Sequence, residues 1–222
     1  MGTILLTGFG AYANTPLNPA GVVADMLDGT KVAGHTIVSR ILPAEYFGCI
    51  EAAKKSVSET GADCIIMMGD YPGRAMLTVE RIAQNLNDCT RYGVKDNAGV
   101  ALEGQLTNPD GPVAYWSTVP VRAMVKFMRE AGVPADISDA PGTLCCNHLF
   151  YGMLDHAAQN KLPLRAGWIH LPTLPEVAAR PENIGVPSMH AETAAKGVTA
   201  AIEAVIEHPE DIIETSPSRL QI

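Results

Sequence analysis

Thr3-Ile4-Leu5-Leu6-Thr7-Gly8 opens the chain as a short apolar run stopped by glycine, and Asn18-Pro19-Ala20-Gly21-Val22-Val23 follows after one loop. The run suits a strand buried on both faces, which requires covering layers on either side of its sheet. Asn18 before Pro19 reads as an N-cap followed by proline in the first helical turn, with Val22, Val23, Met26 and Leu27 as the buried stripe. The connecting loop from Gly8 to Asn18 carries Phe9 and Tyr12, two aromatics in a chain that is only 5% aromatic.

The same alternation recurs downstream. Thr36 to Leu42 reads as a strand stopped at Pro43, Tyr46 to Thr60 as a helix closed by Gly61, and Asp63 to Met68 as a third strand. Gly69-Asp70-Tyr71-Pro72-Gly73-Arg74 is its exit turn. Leu77 to Leu86 is expected as one strand, because Thr78, Val79 and Ile82 favour extended chain. Residues 87–112 are a polar, Gly- and Asn-rich excursion, long enough for a functional loop or a small hairpin arm. Helices are expected over Pro120 to Ala131, Cys146 to Asn160 and Met189 to Glu207, with strands over Ala135 to Ser138 and Ala166 to Leu171. The acidic tail, 209–222, is expected to be peripheral. One three-layer α/β/α domain over residues 1–222 follows, with a mostly parallel mixed sheet. In such folds ligands bind at the carboxyl ends of the strands, which gathers Phe9, Tyr12, the turn 69–74, the start of the helix at Cys146, and His170.

Composition narrows the function. A net charge of -8 and the lack of a basic run argue against nucleic acid and anionic membranes as partners. Five cysteines, an odd number without framework spacing, suggest a reducing compartment. No apolar run is long enough to span a bilayer, and the N-terminus reads directly into a strand; a soluble cytoplasmic protein is expected.

The chemistry centres on Pro141-Gly142-Thr143-Leu144-Cys145-Cys146-Asn147-His148. Leu149, Phe150, Met153, Leu154 and Ala157 recur at helical spacing, so Cys146 sits at a helix start. Unpaired N–H groups and the helix dipole there favour thiolate over thiol. With His170 at a strand end this makes a nucleophile and base pair for acyl transfer, provided a carboxylate orients the imidazole. Glu80, Glu176 and Asp70 are candidates between which residue type and spacing do not choose. By spacing alone a cysteine in a core helix is ordinarily a small buried residue, His170 can be a satisfied core histidine, and Glu80 beside Arg81 can be a surface charge pair. Cys145, Cys146 and His148 lack the separated second ligand pair of a zinc site, so no metal is expected. His148, His156, His190 and His208 are read as structural or exposed.

Several segments resemble the pyroglutamyl peptidase I family of cysteine peptidases. Thr7-Gly8-Phe9-Gly10-Ala11-Tyr12 is similar to its opening Thr-Gly-Phe-x-Pro-Phe, followed by Asn18-Pro19. Glu80-Arg81-Ile82-Ala83-Gln84-Asn85 is similar to Glu-Arg-Val-Ala-x-Asn, and Arg91 with Asp96-Asn97 to Arg-x-Pro-Asp-Asn. Gly142 to His148 resembles Gly-Thr-x-x-Cys-Asn-His, and Gly167-Trp168-Ile169-His170-Leu171-Pro172 resembles Gly-Phe-Ile-His-x-Pro, each in the family's order. The resemblance implies a phosphorylase/hydrolase-like fold and removal of an N-terminal pyroglutamyl group from peptides, without cofactor or metal. It assigns Cys146 as nucleophile, His170 as base, Glu80 as orienter, and Arg91 as support for the thiolate or oxyanion. Phe9, Tyr12, Asp70, Tyr71, Leu144 and Cys145 fall on the substrate pocket, and a homo-oligomer, with a tetramer as the candidate form, is implied. The chain departs from the family at Asp70-Tyr71-Pro72, which replaces a Gln-containing small-residue turn, and at Tyr12-Ala13-Asn14. A second reading is therefore an amidohydrolase with the same triad acting on another small cyclic amide or acyl group. A third is a non-catalytic metabolite-binding relative.

Overall fold

The opening run forms β1 (Thr3–Phe9), and Asn18 caps α1 (Pro19–Leu27) by accepting a hydrogen bond from Ala20 N at 3.0 Å. The computed structural model describes residues 2–12 and 15–218; the Ala13-Asn14 departure lies outside the described residues. The chain continues through β2 (Lys31–Val32), β3 (His35–Leu42), α2 (Gly48–Thr60) and β4 (Cys64–Asp70), then β5 (Leu77–Glu80) and β6 (Ile82–Gln84). After the long excursion come β7 (Ala114–Trp116), α3 (Val121–Glu130), β8 (Ala135–Ser138), α4 (Cys145–Gln159), β9 (Arg165–Leu171), α5 (Pro175–Ala178) and α6 (Ala191–Glu207).

Seven strands form one sheet in the order β2-β3-β1-β4-β9-β5-β8. Pairing is parallel except for β2 with β3 and β5 with β9. Alternate side chains of each strand enter opposite layers. Leu6, Ile66 and Met68 join the core under α1, α3 and α6, whereas Leu5, Ile65 and Met67 join the core under α2 and α4. The result is a single three-layer α/β domain with a mostly parallel mixed sheet. Burial on both faces is what makes the central strands continuous apolar runs.

Two differences from the expected elements bear on the site. β1 and β4 run on to Phe9 and Asp70, so Phe9, Gly69 and Asp70 are strand residues, not loop residues. The strand expected over Leu77 to Leu86 is two strands in two sheets, parting at Arg81. Asn147 on α4 captures the second piece: its Oδ1 accepts from Gln84 N at 2.8 Å, and its Nδ2 donates to Gln84 O and Leu86 O at 2.8 and 3.0 Å. β6 then pairs antiparallel with β7 and the two flank the excursion, whose residues 90–92 form a 3-10 turn. The tail is tied to α3. The Asp211 carboxylate accepts from Arg122 N and Ala123 N at 3.1 Å, and Lys126 pairs with Glu214 at 2.8 Å. No helix among the described residues is long and apolar enough to cross a membrane.

Candidate active site

The parallel register of β4 and β9 places Gly69 opposite His170. A Cβ on Gly69 would lie 2.6 Å from Cys146 Sγ and 3.4 Å from His170 Cδ2, so glycine leaves the space that thiol and imidazole share. Cys146 lies in the first turn of α4. Its cap, Leu144, makes no side-chain capping bond, which leaves first-turn N–H groups for an oxyanion.

β5 supplies the carboxylate. Because β5 runs antiparallel to β9, Thr78 faces His170 and Glu80 faces Trp168. Thr78 and Glu80 share one face of the strand, and Glu80 Oε1 meets His170 Nδ1 at 2.8 Å. A proton on Nδ1 satisfies that contact and leaves Nε2 as the acceptor for a thiol proton. Arg74, which the sequence shows only as the last residue of the turn, completes the group. It donates from Nη1 to Glu80 Oε1 at 2.6 Å and to Thr78 Oγ1, and from Nη2 to Ala140 O at 2.9 Å. Its guanidinium carbon lies 3.7 Å from the centre of the Tyr71 ring, and that ring meets His170 edge-on at 5.0 Å.

The electrostatics follow from burial and partners. Burial opposes the Glu80 charge, but the His170 hydrogen bond and the His170 and Arg74 charges outweigh it and hold Glu80 below the usual carboxylate range. Burial lowers His170, Glu80 partly offsets this, and Arg74 lowers it further; the resting imidazole is neutral. At Cys146 burial works against the effect of the helix start. Burial, then the charges of Asp70 and Glu80, push the thiol up, so the resting group is protonated and its proton has to be taken by a base. Asp70 is pushed up to about 6 by burial, partly offset by the Thr15 and Thr173 hydroxyls.

A cavity of about 230 Å³ opens onto this group, walled by Tyr71, Pro72, Tyr92, Leu144, Cys146 and His170 together with residues 141–143. Of the pocket residues expected from sequence, Tyr71 and Leu144 are on this wall. Phe9, Asp70, Tyr12 and Cys145 are not among its lining. Phe9 is buried against Trp168, ring centroids 6.1 Å apart, and Cys145 is buried in the α2–α4 core. Tyr12 packs on the same core and pairs with Thr15, whose hydroxyl donates to Asp70 Oδ2 at 3.2 Å. Arg91 is exposed in the 3-10 turn, its guanidinium 5.0 Å from the Tyr92 ring, so it borders the cavity through Tyr92 and makes no ion pair with the catalytic group. His148 is buried, accepting from Phe47 N at 2.9 Å through Nε2, and burial lowers it to about 4. Among the described residues no group of three or more His, Cys, Asp or Glu side chains could hold a metal ion.

A thiol at a helix start, an imidazole bonded to a buried carboxylate and a cavity open to both define a candidate cysteine hydrolase. The chain belongs to the pyroglutamyl peptidase family, whose model matches residues 2–208. It is 59% identical over 222 residues, all of both chains, to a pyrrolidone-carboxylate peptidase of Mycobacterium marinum, and 60% identical over the same length to one of Mycobacterium tuberculosis. The crystal structure of pyroglutamyl peptidase I from Bacillus amyloliquefaciens matches with a TM-score of 0.90 at 31% identity, covering 96% of this chain and 100% of that one.

Proposed function

We propose that this protein is a cysteine peptidase that removes an N-terminal pyroglutamyl group from peptides, with Cys146 as nucleophile, His170 as base and Glu80 as the group that orients the imidazole. The observation that carries the reading is that Cys146 and His170 both border the space above Gly69 and line the same cavity, with His170 bonded to Glu80. His170 Nε2 takes the thiol proton as sulfur attacks the scissile carbonyl, and α4 N–H groups hold the oxyanion. Collapse breaks the C–N bond, and the imidazolium gives its proton to the departing amine. Water, deprotonated by His170, then hydrolyses the thioester, releasing pyroglutamate and restoring the thiol. The protein's own side chains carry each step without cofactor or metal.

Tyr71 and Leu144 form the wall nearest the reacting carbonyl, while Phe9, Tyr12, Asp70 and Cys145 shape the layer behind it. Arg91 contributes positive charge at the rim. Asp70 favours keeping the second reading, hydrolysis of a different small cyclic amide or acyl group, because an ionised carboxylate accepts hydrogen bonds but cannot donate to a lactam carbonyl. We place the protein in the cytoplasm as a homo-oligomer, with a tetramer as the candidate form. The exposed apolar side chains Val113 and Trp116 on the β6–β7 arm support association.

The test is release of a fluorophore from a pyroglutamyl amide. Turnover lost in Cys146→Ala and kept in Cys145→Ala supports the reading. Wild type without turnover, but with Cys146 alkylated only when His170 is intact, supports the second.

A further inference from the structure

We infer that Arg74 is a positioning residue for the hydrolytic centre: its fork ties Glu80, the Tyr71 wall and the strand-to-helix loop before Cys146 into one unit around His170. This rests on the reading of His170 as the base.

Arg74 is only 9% exposed, so its guanidinium must find acceptors inside the protein, and these are Thr78 and Glu80 on one side and Ala140 O on the other. The first two belong to β5. Ala140 lies in the loop that runs from β8 to α4, so its link fixes the approach to the Cys146 helix. Oε1 of Glu80 accepts from Arg74 and also meets His170 Nδ1, so the carboxylate cannot rotate toward one partner without stretching from the other. Arg74 also stacks on the Tyr71 face whose edge meets the imidazole. Arg74 thus touches neither the thiol nor the cavity. It acts through groups that do.

The role has a signature that a merely structural arginine would lack. The charged and titratable groups around His170 are Glu80 from β5, Arg74 and Tyr71 from the segment after β4, and Cys146 from α4, with Asp70 at the end of β4 acting on the thiol. Among them Arg74 is the fixed cation, and it opposes protonation of His170 while Glu80 favours it. Without it the imidazole holds its proton to higher pH. The acid limb of the pH–kcat/KM profile should then move upward, since a protonated imidazole cannot act as base.

The experiment compares wild type, Arg74→Gln and Arg74→Lys, each checked for folding by circular dichroism, in pyroglutamyl amide hydrolysis and in iodoacetamide alkylation of Cys146 across pH. Arg74→Gln should lose kcat/KM by on the order of tenfold or more and shift the acid limb up. Arg74→Lys keeps the charge without the fork, so its limb should stay at the wild-type position while kcat falls. A folded Arg74→Gln with an unmoved limb overturns the inference. Should Arg74→Gln fail to fold, Arg74→Lys decides: an unmoved limb with reduced kcat supports the role, and wild-type kcat overturns it. If wild type itself shows no turnover, the functional reading is what fails, and the alkylation profiles still decide the role of Arg74 by the same shift.

Discussion

β9 carries His170 between two strands that each end in a carboxylic acid, Glu80 on β5 and Asp70 on β4, and the two acids have opposite fates. Burial raises both. Glu80 meets the His170 ring N–H and the Arg74 guanidinium, whose hydrogen bond and charge reverse the effect of burial; Asp70 meets hydroxyls and ends at about 6. Partners, not depth, decide the charge of a buried carboxyl. On one side of β9 the protein keeps a permanent anion to orient the imidazole. On the other it keeps an acid that titrates near neutral pH.

The sharpest way to break the contrast is Glu80→Gln. Glutamine keeps an Oε1 that can accept from both Arg74 and His170 Nδ1, but it removes the charge that balances Arg74 and stabilises the imidazolium formed during turnover. Loss of kcat by on the order of 10²- to 10⁴-fold is expected in steady-state assays. Thermal unfolding should show destabilisation of about 3–5 kcal/mol, because Arg74 is left as a buried cation without its anion. Gly69→Ala comes next. Its methyl would press on the Cys146 sulfur and the Trp168 ring beside His170, and a displacement of about 1 Å should cost on the order of 10²-fold in kcat/KM with Glu80 untouched.

Asp70→Asn probes the other side and should be the mildest. Its folded pKa, about 6, lies above the ordinary 3.8, so the native state holds the proton more tightly than the unfolded chain. Wild-type stability therefore falls as pH rises from about 4 through 6. The asparagine variant should be more stable than wild type by about 1–3 kcal/mol at pH 7.5 and indistinguishable below pH 4 in thermal melts, with turnover retained. A wild type whose stability rises across that window would remove the contrast.

How far the sequence disclosed this arrangement depends on whether the cause of each feature is local. β1 and β4 were legible because burial on both faces writes itself as an apolar run, and Asn18-Pro19 because a cap acts within its own turn. The break at Arg81 was not legible: Thr78, Val79 and Ile82 favour strand on both sides of it while Ala83, Gln84 and Leu86 do not discriminate, and it is Asn147 and β7, far along the chain, that hold β6 in a second sheet. Arg74 sits in a turn, where arginine is ordinarily solvated, and nothing nearby says that it turns inward to Glu80. The alternation of Thr78 and Glu80 on one face was the available hint. The choice of Cys146 over Cys145 rests on motif resemblance; Cys146 lines the cavity, whereas Cys145 is buried in the α2–α4 core. The burial that opposes a thiolate at Cys146 was not legible, because a helix start is local whereas burial is tertiary.

The most direct test of the account is intact-mass spectrometry of the enzyme quenched in acid during turnover of a pyroglutamyl amide, followed by peptide mapping. The account predicts a mass increase equal to one pyroglutamyl group, attached as a thioester to Cys146 and absent from Cys146→Ala. An adduct on Cys145, or sustained turnover in Cys146→Ala, would contradict it.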